Sequence, residues 1–417
     1  MSPNHDEQVD KQIDRKIRQA CQAFPWLQQL LEQEGQVNLN QPLQASDLIR
    51  CPWLTAERLQ PYYEGDFSHL GTYVYRTSGT SGGKRKAIWY SESDEEQYIA
   101  IKTKLFRSLV KDFGHRRVTA DMGTGHAAYT STVIFKALGM EVDAIDYTWP
   151  VQAHIDRLQA FKPTLLYTMP SILERLADHL ENPQELGLKQ ILLVGEMASP
   201  AWQQRMAERF GLPAMSIQDT YGSIEIGTIA YYDHRTGRYQ IVEGIFAEGL
   251  SASGAGEELA QLGPDEQILV LTSWVRDAFP ALRFVTYDVV RDLRTEWRDG
   301  RWVQSFSAIV KRVGPELKHG EKISLYDIER VIYRHLKEAT IRVKMVQRQL
   351  QVHVRCHPLS EEEVTAIQTD LHACMPEIGA MIQGGLLGSI ELIQSHPGDG
   401  MDADGQGPVK GKKIYYD

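Results

Sequence analysis

At 417 residues, and with domains running to about 150 residues each, the chain holds two to three domains and is too long for a single small binding module. Its 42% hydrophobic and 24% charged residues are those of an ordinary globular chain able to bury a large core. Lysine plus arginine number 45 against 55 acidic residues, a formal net charge of -10, which excludes an overall attraction to nucleic acid or anionic lipid. Cys21, Cys51, Cys356 and Cys374 are scattered without Cys-x-x-Cys or Cys/His clustering, so neither a disulfide framework nor a structural zinc site is expected. The segment Met1 to Gln12 is polar and no stretch approaches a membrane-spanning length of apolar residues; the expectation is a cytoplasmic protein, neither secreted nor inserted in a membrane.

In chain order, residues 1–65 carry helical spacing of apolar groups (Ala20, Phe24, Leu27, Leu30, Leu31) broken later by Pro42, Pro52 and Pro61, a helical lead-in. From Tyr73 onward short apolar runs alternate with amphipathic stretches. Arg117 to Met122, Val142 to Tyr147, Thr164 to Thr168 and Gln190 to Val194 read as strands. Ser93 to Leu109, Thr130 to Leu138, Gln152 to Phe161, Ser171 to His179 and Pro200 to Arg209 read as helices. That alternation predicts an α/β layered domain with a largely parallel sheet. After Gly211 strands and glycine-rich turns predominate (Arg238 to Val242, Gln267 to Thr272, Ala281 to Thr286), predicting a β-rich lobe. Beyond Val313 the order helix (Ser324 to His335), two strands (Thr340 to Val346, Gln351 to Arg355), helix (Ser360 to Cys374) and strand (Ser389 to Ile393) fits a small ferredoxin-like α+β domain. The expected division is therefore 1–312, a large domain, and 313–417, a small mobile one. His396 to Gly407, rich in glycine and aspartate, is expected to be a mobile loop.

Two stretches carry chemistry. Thr77-Ser78-Gly79-Thr80-Ser81-Gly82-Gly83-Lys84, between two strand-like segments, combines glycines that let backbone N–H groups converge, hydroxyl donors and positive charge, the requirements for holding a polyphosphate. It is not a Walker A loop, since no glycine is followed by Lys-Ser or Lys-Thr. The second, Asp219-Thr220-Tyr221-Gly222-Ser223-Ile224-Glu225, sets a ring able to cover a flat base beside a carboxylate able to hold a divalent cation; alone it could equally be a turn with a solvent-facing glutamate.

Together and in this order, these residues resemble the adenylate-forming superfamily of acyl-CoA synthetases, peptide-synthetase adenylation domains and luciferases, above all its compact phenylacetate–CoA ligase branch. The phosphate loop matches Thr77 to Lys84, and the Tyr-Gly-x-x-Glu motif matches Tyr221, Gly222 and Glu225. Pro280 to Asp288 is similar to the branch's segment ending in a ribose-binding aspartate, and Gly411-Lys412 to the pair carrying a mobile catalytic lysine. Gly195-Glu196-Met197 is similar to the turn beside the adenine, Gly123, His126, Tyr129 and Ser223 fall in the acyl-pocket segments, and Arg312 matches an arginine that reaches the ribose. The hinge departs from the family: Lys311 to Lys318 lacks its paired aspartates, and the zinc-binding cysteines of some phenylacetate ligases are missing. Lys410 and Lys413 stand close enough to Lys412 that any of the three could hold the lysine role.

The resemblance implies activation of a small carboxylic acid by ATP as acyl-AMP with loss of pyrophosphate, then transfer to a thiol, that of coenzyme A first. A phosphopantetheine on a carrier protein and an amine are alternative acceptors, and a non-catalytic adenylate-binding protein is a further one. Attack of one anion on another needs positioned positive charge. The implied roles are Mg²⁺ on Glu225, β- and γ-phosphates on Thr77 to Lys84, Lys412 between carboxylate and α-phosphate, Tyr221 on the adenine, and Asp288 on the ribose hydroxyls. Nucleic acid and membrane are not expected partners.

Overall fold

The computed structural model describes residues 3–76, 86–122, 126–251, 262–313, 324–337, 339–346, 349–374, 390–394 and 414–416. It opens with four helices, α1 (Pro3–Ala23), α2 (Pro25–Gln33), α3 (Ala45–Arg50) and α4 (Gln60–Glu64). Their apolar faces, including Ile17, Phe24, Leu27 and Leu31, are fully buried. Strands β1 (Tyr73–Arg76) and β2 (Ala87–Tyr90) pair antiparallel on either side of residues 77–85.

An α/β unit follows: α5 (Glu92–Val110), β3 (Arg117–Asp121), α6 (His126–Ala137), β4 (Glu141–Ile145), α7 (Val151–Phe161), β5 (Leu165–Thr168), α8 (Pro170–His179), β6 (Gln190–Val194), α9 (Pro200–Arg209) and β7 (Ile217–Ser223). Strands β3 to β7 are mutually parallel, as the alternation predicts. The runs Leu165–Thr168 and Gln190–Val194 lie between helical layers, and burial on both faces explains why they are apolar throughout rather than alternating. Helix starts follow their caps: the Ser91 hydroxyl accepts from Asp94 N at 3.0 Å while Asp94 accepts from Ser91 N at 3.1 Å, a reciprocal box, and Pro170 and Pro200 occupy first turns.

The sheet then turns antiparallel through β8 (Gly227–Asp233) and β9 (Arg238–Ile241). Strands β10 (Ile245–Leu250), β11 (Glu266–Ser273) and β12 (Phe284–Arg291) come next, followed by β13 (Arg294–Arg298), β14 (Arg301–Phe306) and β15 (Ala308–Arg312). Strands β10, β11, β12 and β15 make a separate four-stranded sheet, whereas β13 and β14 extend the large sheet, ordered β13-β14-β9-β8-β7-β6-β5-β3-β4. Two expectations shift. The strand expected from Ala281 begins at Phe284, because Arg283 sits at φ 46 and breaks the extended run; the helix expected from Thr130 begins at His126, so His126 and Tyr129 occupy its first turn.

The C-terminal part comprises α10 (Leu325–His335), β16 (Thr340–Val346), β17 (Gln349–Arg355), α11 (Glu361–Cys374), β18 (Ile390–Gln394) and β19 (Ile414–Tyr416). The four strands are ordered β18-β17-β16-β19, with the terminal strand running parallel to β16. One core joins this part to α8 and α9: Trp202 and Met206 share a cluster with Ile328, Val331 and Val343. Polar contacts cross the same seam, with Ser199 Oγ donating to Glu329 at 2.5 Å and Arg355 paired with Asp178. A crevice lined by Met197, Ser199, Tyr326 and Glu329 opens at this seam, just past the carboxyl end of β6, where α/β sheets bind ligands.

Candidate active site

Strand β7 delivers Tyr221 beside β12. The Tyr221 hydroxyl donates to Asp288 Oδ2 at 2.5 Å. Arg312 faces Asp288 across the β12–β15 register, with its Nε 3.8 Å from Oδ1 and 67% of its side chain exposed. Burial, reinforced by the adjoining Asp288 carboxylate, holds the Tyr221 phenol well above its usual range, so it remains a donor and fixes Asp288. Thr286 Oγ1 accepts from Asp288 N at 3.0 Å and donates to Leu269 O at 2.8 Å, which pins the strand. In the sequence Tyr221, Asp288 and Arg312 are joined only through family resemblance; the β12–β15 register pairs Asp288 with Arg312, and Tyr221 reaches Asp288 from the neighbouring sheet through its side chain.

Gly222 lets β7 and β8 close on each other, since a Cβ there would meet Gly227 O at 2.5 Å. The turn between the strands carries Glu225 and is closed by Ile226 N donating to Ser223 Oγ at 3.3 Å. Ser223 thus shapes the turn. Glu225 is half-buried, and Arg276 Nε donates to its carbonyl at 3.0 Å. A single carboxylate with the remaining positions left to phosphate and water oxygens is the usual donor set for Mg²⁺. No cluster of three metal-binding side chains occurs among the described residues; Glu225 fits a Mg²⁺ held largely by substrate.

Asp219 and Thr220, both buried, bond inside the fold. Thr220 Oγ1 donates to Leu193 O at 2.6 Å. Asp219 accepts from the Tyr239 hydroxyl, its Oδ1 has no partner, and burial pushes its carboxyl up to about 7. Glu196 is likewise committed, accepting from Ser171 N at 2.8 Å and Ser171 Oγ at 2.9 Å, so it caps α8 and fixes the turn at Gly195. Met197 packs against both large cores.

His126 is buried among the rings of Tyr75, Tyr90 and Tyr98, at centroid distances of 4.2, 5.1 and 4.6 Å. Its Nε2 lies 2.9 Å from Glu95 Oε2, and the Tyr75 hydroxyl donates to the other Glu95 oxygen at 3.4 Å. Tyr129, expected as part of the acyl pocket, is 60% exposed. Thr77, Ser78, Gly79, Thr80, Ser81, Gly82, Gly83, Lys84, Gly123 and Lys412, together with the expected mobile loop 396–407, lie outside the described residues.

Sequence analysis misses two groups. Glu95 and Tyr98 stand on α5, where only the Ser91–Asp94 capping pattern hints at importance. Arg276 is fully buried; it pairs with Asp94, donates to Trp89 O at 3.0 Å and lies 3.7 Å over the Tyr90 ring. It thereby ties β2, α5 and the Glu225 turn into one unit. A charged residue flanked by the apolar run of β11 is the sequence signal for it.

Residues 73–245 match the AMP-binding enzyme family, and residues 318–396 match a fumarate–diaminopropanoate ligase C-terminal domain. The chain is 37% identical over 382 residues to a fumarate–(S)-2,3-diaminopropanoate ligase of Enterobacter agglomerans, covering 91% of this chain and 94% of that protein. It is 22% identical to a phenylacetate–coenzyme A ligase of Aromatoleum evansii, over 69% of this chain and 67% of the relative. In fold it is similar to 2-hydroxyisobutyryl-CoA ligase in its postadenylation state, with a TM-score of 0.73 at 14% identity over 100% of this chain and 90% of that one. The chain belongs to the AMP-binding, adenylate-forming ligases. Within them, the relative it matches over most of its length joins an acid to an amine. No helix among the described residues is long and apolar enough to cross a membrane.

Proposed function

We propose that this enzyme activates a short dicarboxylic acid of the fumarate class as its acyl-AMP and passes the acyl group to a small amine, forming an amide. The convergence of Tyr221, Asp288 and Arg312 beside the Glu225 turn carries the adenylation half; the acceptor class rests on the 37% identical ligase. In this reading Asp288 accepts both ribose hydroxyls, Tyr221 and Arg312 hold Asp288 and the sugar, and Gly195 to Met197 border the adenine. Mg²⁺ on Glu225 would neutralise phosphate charge. Thr77 to Lys84 grip the β- and γ-phosphates, and Lys412 meets the incoming carboxylate and α-phosphate. A carboxylate oxygen attacks the α-phosphorus and pyrophosphate departs.

In the second step the amine nitrogen attacks the acyl carbon, AMP departs, and the nitrogen must shed a proton. An alkylamine reaches the enzyme as ammonium at neutral pH. The His126–Glu95 pair, with a buried carboxylate orienting an imidazole, supports a general base at the acyl pocket. Consumption of ATP and unpaired thiols at Cys21, Cys51 and Cys356 support a cytoplasmic setting. The test is product analysis with ATP, fumarate and a diamino acid, alongside coenzyme A as competing acceptor. An amide and AMP are expected. A thioester formed in preference would restore the coenzyme A reading favoured by the phenylacetate ligase relative, and ADP as product would overturn both.

A further inference from the structure

Helix α5 carries a buried ammonium that the roles above leave unused. Lys102 is only 4% exposed and sits against the rings of Tyr98, Phe106 and Tyr167, with Nζ 5.2, 5.4 and 5.3 Å from their centroids. Its Nζ donates to the Tyr98 hydroxyl at 2.8 Å; among the described residues no carboxylate pairs with it. A second hydroxyl stands beside it: Tyr167 is fully buried and faces the Lys102 ammonium, with no acceptor for its own proton. An ammonium with three N–H groups, a tyrosine that has already accepted one of them and a tyrosine with no acceptor make a site with donors and positive charge but no anion. Buried charge is kept in natural folds where something pairs with it.

The location points to what that partner is. Tyr98 touches the His126 ring, and a Cβ on Gly227 would come within 3.0 Å of its Cδ2. Tyr98 therefore stands between the acyl-pocket histidine and the turn that carries Glu225. Lys102 lies one helical turn beyond it on α5. We infer that Lys102, with the Tyr98 and Tyr167 hydroxyls, is the receptor for the second carboxylate of a dicarboxylic acid whose first carboxylate is adenylated. The inference rests on the proposed acid class and names the residue that selects it.

The test is acid-dependent ATP–pyrophosphate exchange by the full chain with fumarate and with crotonate, which has the same trans four-carbon skeleton and a methyl in place of the distal carboxylate. The wild type is expected to favour fumarate strongly. Lys102→Met should lower kcat/KM for fumarate about 100-fold and leave that for crotonate unchanged or raised. Should Lys102→Met fail to fold, Tyr167→Phe serves in its place, with about a tenfold loss on fumarate and none on crotonate. Parallel loss on both acids in either variant would mark a structural role and overturn the inference, as would full retention of fumarate selectivity by Lys102→Met. A wild type that turns over monocarboxylates but no dicarboxylate would instead sink the proposed acid class, and the inference with it.

Discussion

Replacing Asp288 with alanine removes the group on which the nucleoside reading turns. The carboxylate holds the Tyr221 hydroxyl at 2.5 Å and faces Arg312 at 3.8 Å; in the proposed reading its remaining lone pairs accept the two ribose hydroxyls. A hydrogen bond to a charged acceptor contributes about 1.5–3 kcal/mol. Two of them are worth roughly 3–6 kcal/mol, so binding of ATP should weaken by about 100-fold or more. The fold should suffer far less. Tyr221 loses its acceptor at a partly buried position, a cost of about 1 kcal/mol, and Arg312 is already largely in solvent. Tyr221→Phe, which spares the carboxylate, should therefore raise the KM for ATP only about tenfold. The assay is acid-dependent pyrophosphate exchange over a range of ATP concentrations, with thermal unfolding as the control. Asp288→Ala with an unchanged KM for ATP, or the two variants impaired equally, would refute the assignment of Asp288 to the ribose.

Glu225→Gln should slow exchange by about 100- to 1,000-fold, by analogy with other losses of transition-state charge stabilisation, while a fluorescent AMP analogue, which needs no metal, binds as before. His126→Ala should leave exchange near wild type and slow amide formation by about 100-fold or more, as loss of a general base does; equal losses in both steps would make His126 a packing residue. Arg276→Met removes the charge partner of the buried Asp94 carboxylate, which keeps only its backbone donors at Ser91, Asp277 and Ala278; the expected destabilisation is about 3 kcal/mol, measurable by urea unfolding, and Asp94→Asn in the same chain should recover part of it. Asp219 gives a pH signature. Because burial raises its folded pKa to about 7, the folded state keeps a proton that the unfolded chain releases near pH 4. Its contribution is full below about pH 4 and is lost as pH rises through about 7. Asp219→Asn should abolish that slope, gaining on the wild type between pH 5 and pH 8 by roughly 3 kcal/mol.

The parallel half of the large sheet is legible because its strands are buried on both faces and its helices are amphipathic, two patterns that local sequence carries directly. The β-rich lobe is less so. The β13–β14 hairpin, with Trp297 and Trp302 61% and 46% exposed, follows no alternation a sequence reading can use, and its attachment to β9 depends on long-range pairing. The motifs of the site are visible as residue types at fixed spacing; Asp288 and Arg312 meet through register, and Tyr221 joins them from the other sheet. What spacing conceals is which side chains are spent internally. Glu196 caps a helix and Asp219 bonds Tyr239, because turns and strand faces put their carboxylates next to donors far away in the chain. Glu95, Lys102 and Arg276 escape notice for the same reason: a buried charge has meaning only once its neighbours are known.

Heavy-oxygen transfer tests the central claim most directly. Fumarate labelled in its carboxylate oxygens, incubated with ATP, an amine acceptor and the enzyme, should yield AMP carrying one labelled oxygen together with unlabelled pyrophosphate and an amide. Unlabelled AMP alongside amide, or label recovered in inorganic phosphate beside ADP, would mean that the carboxylate never attacked the α-phosphorus and would contradict adenylation by this site.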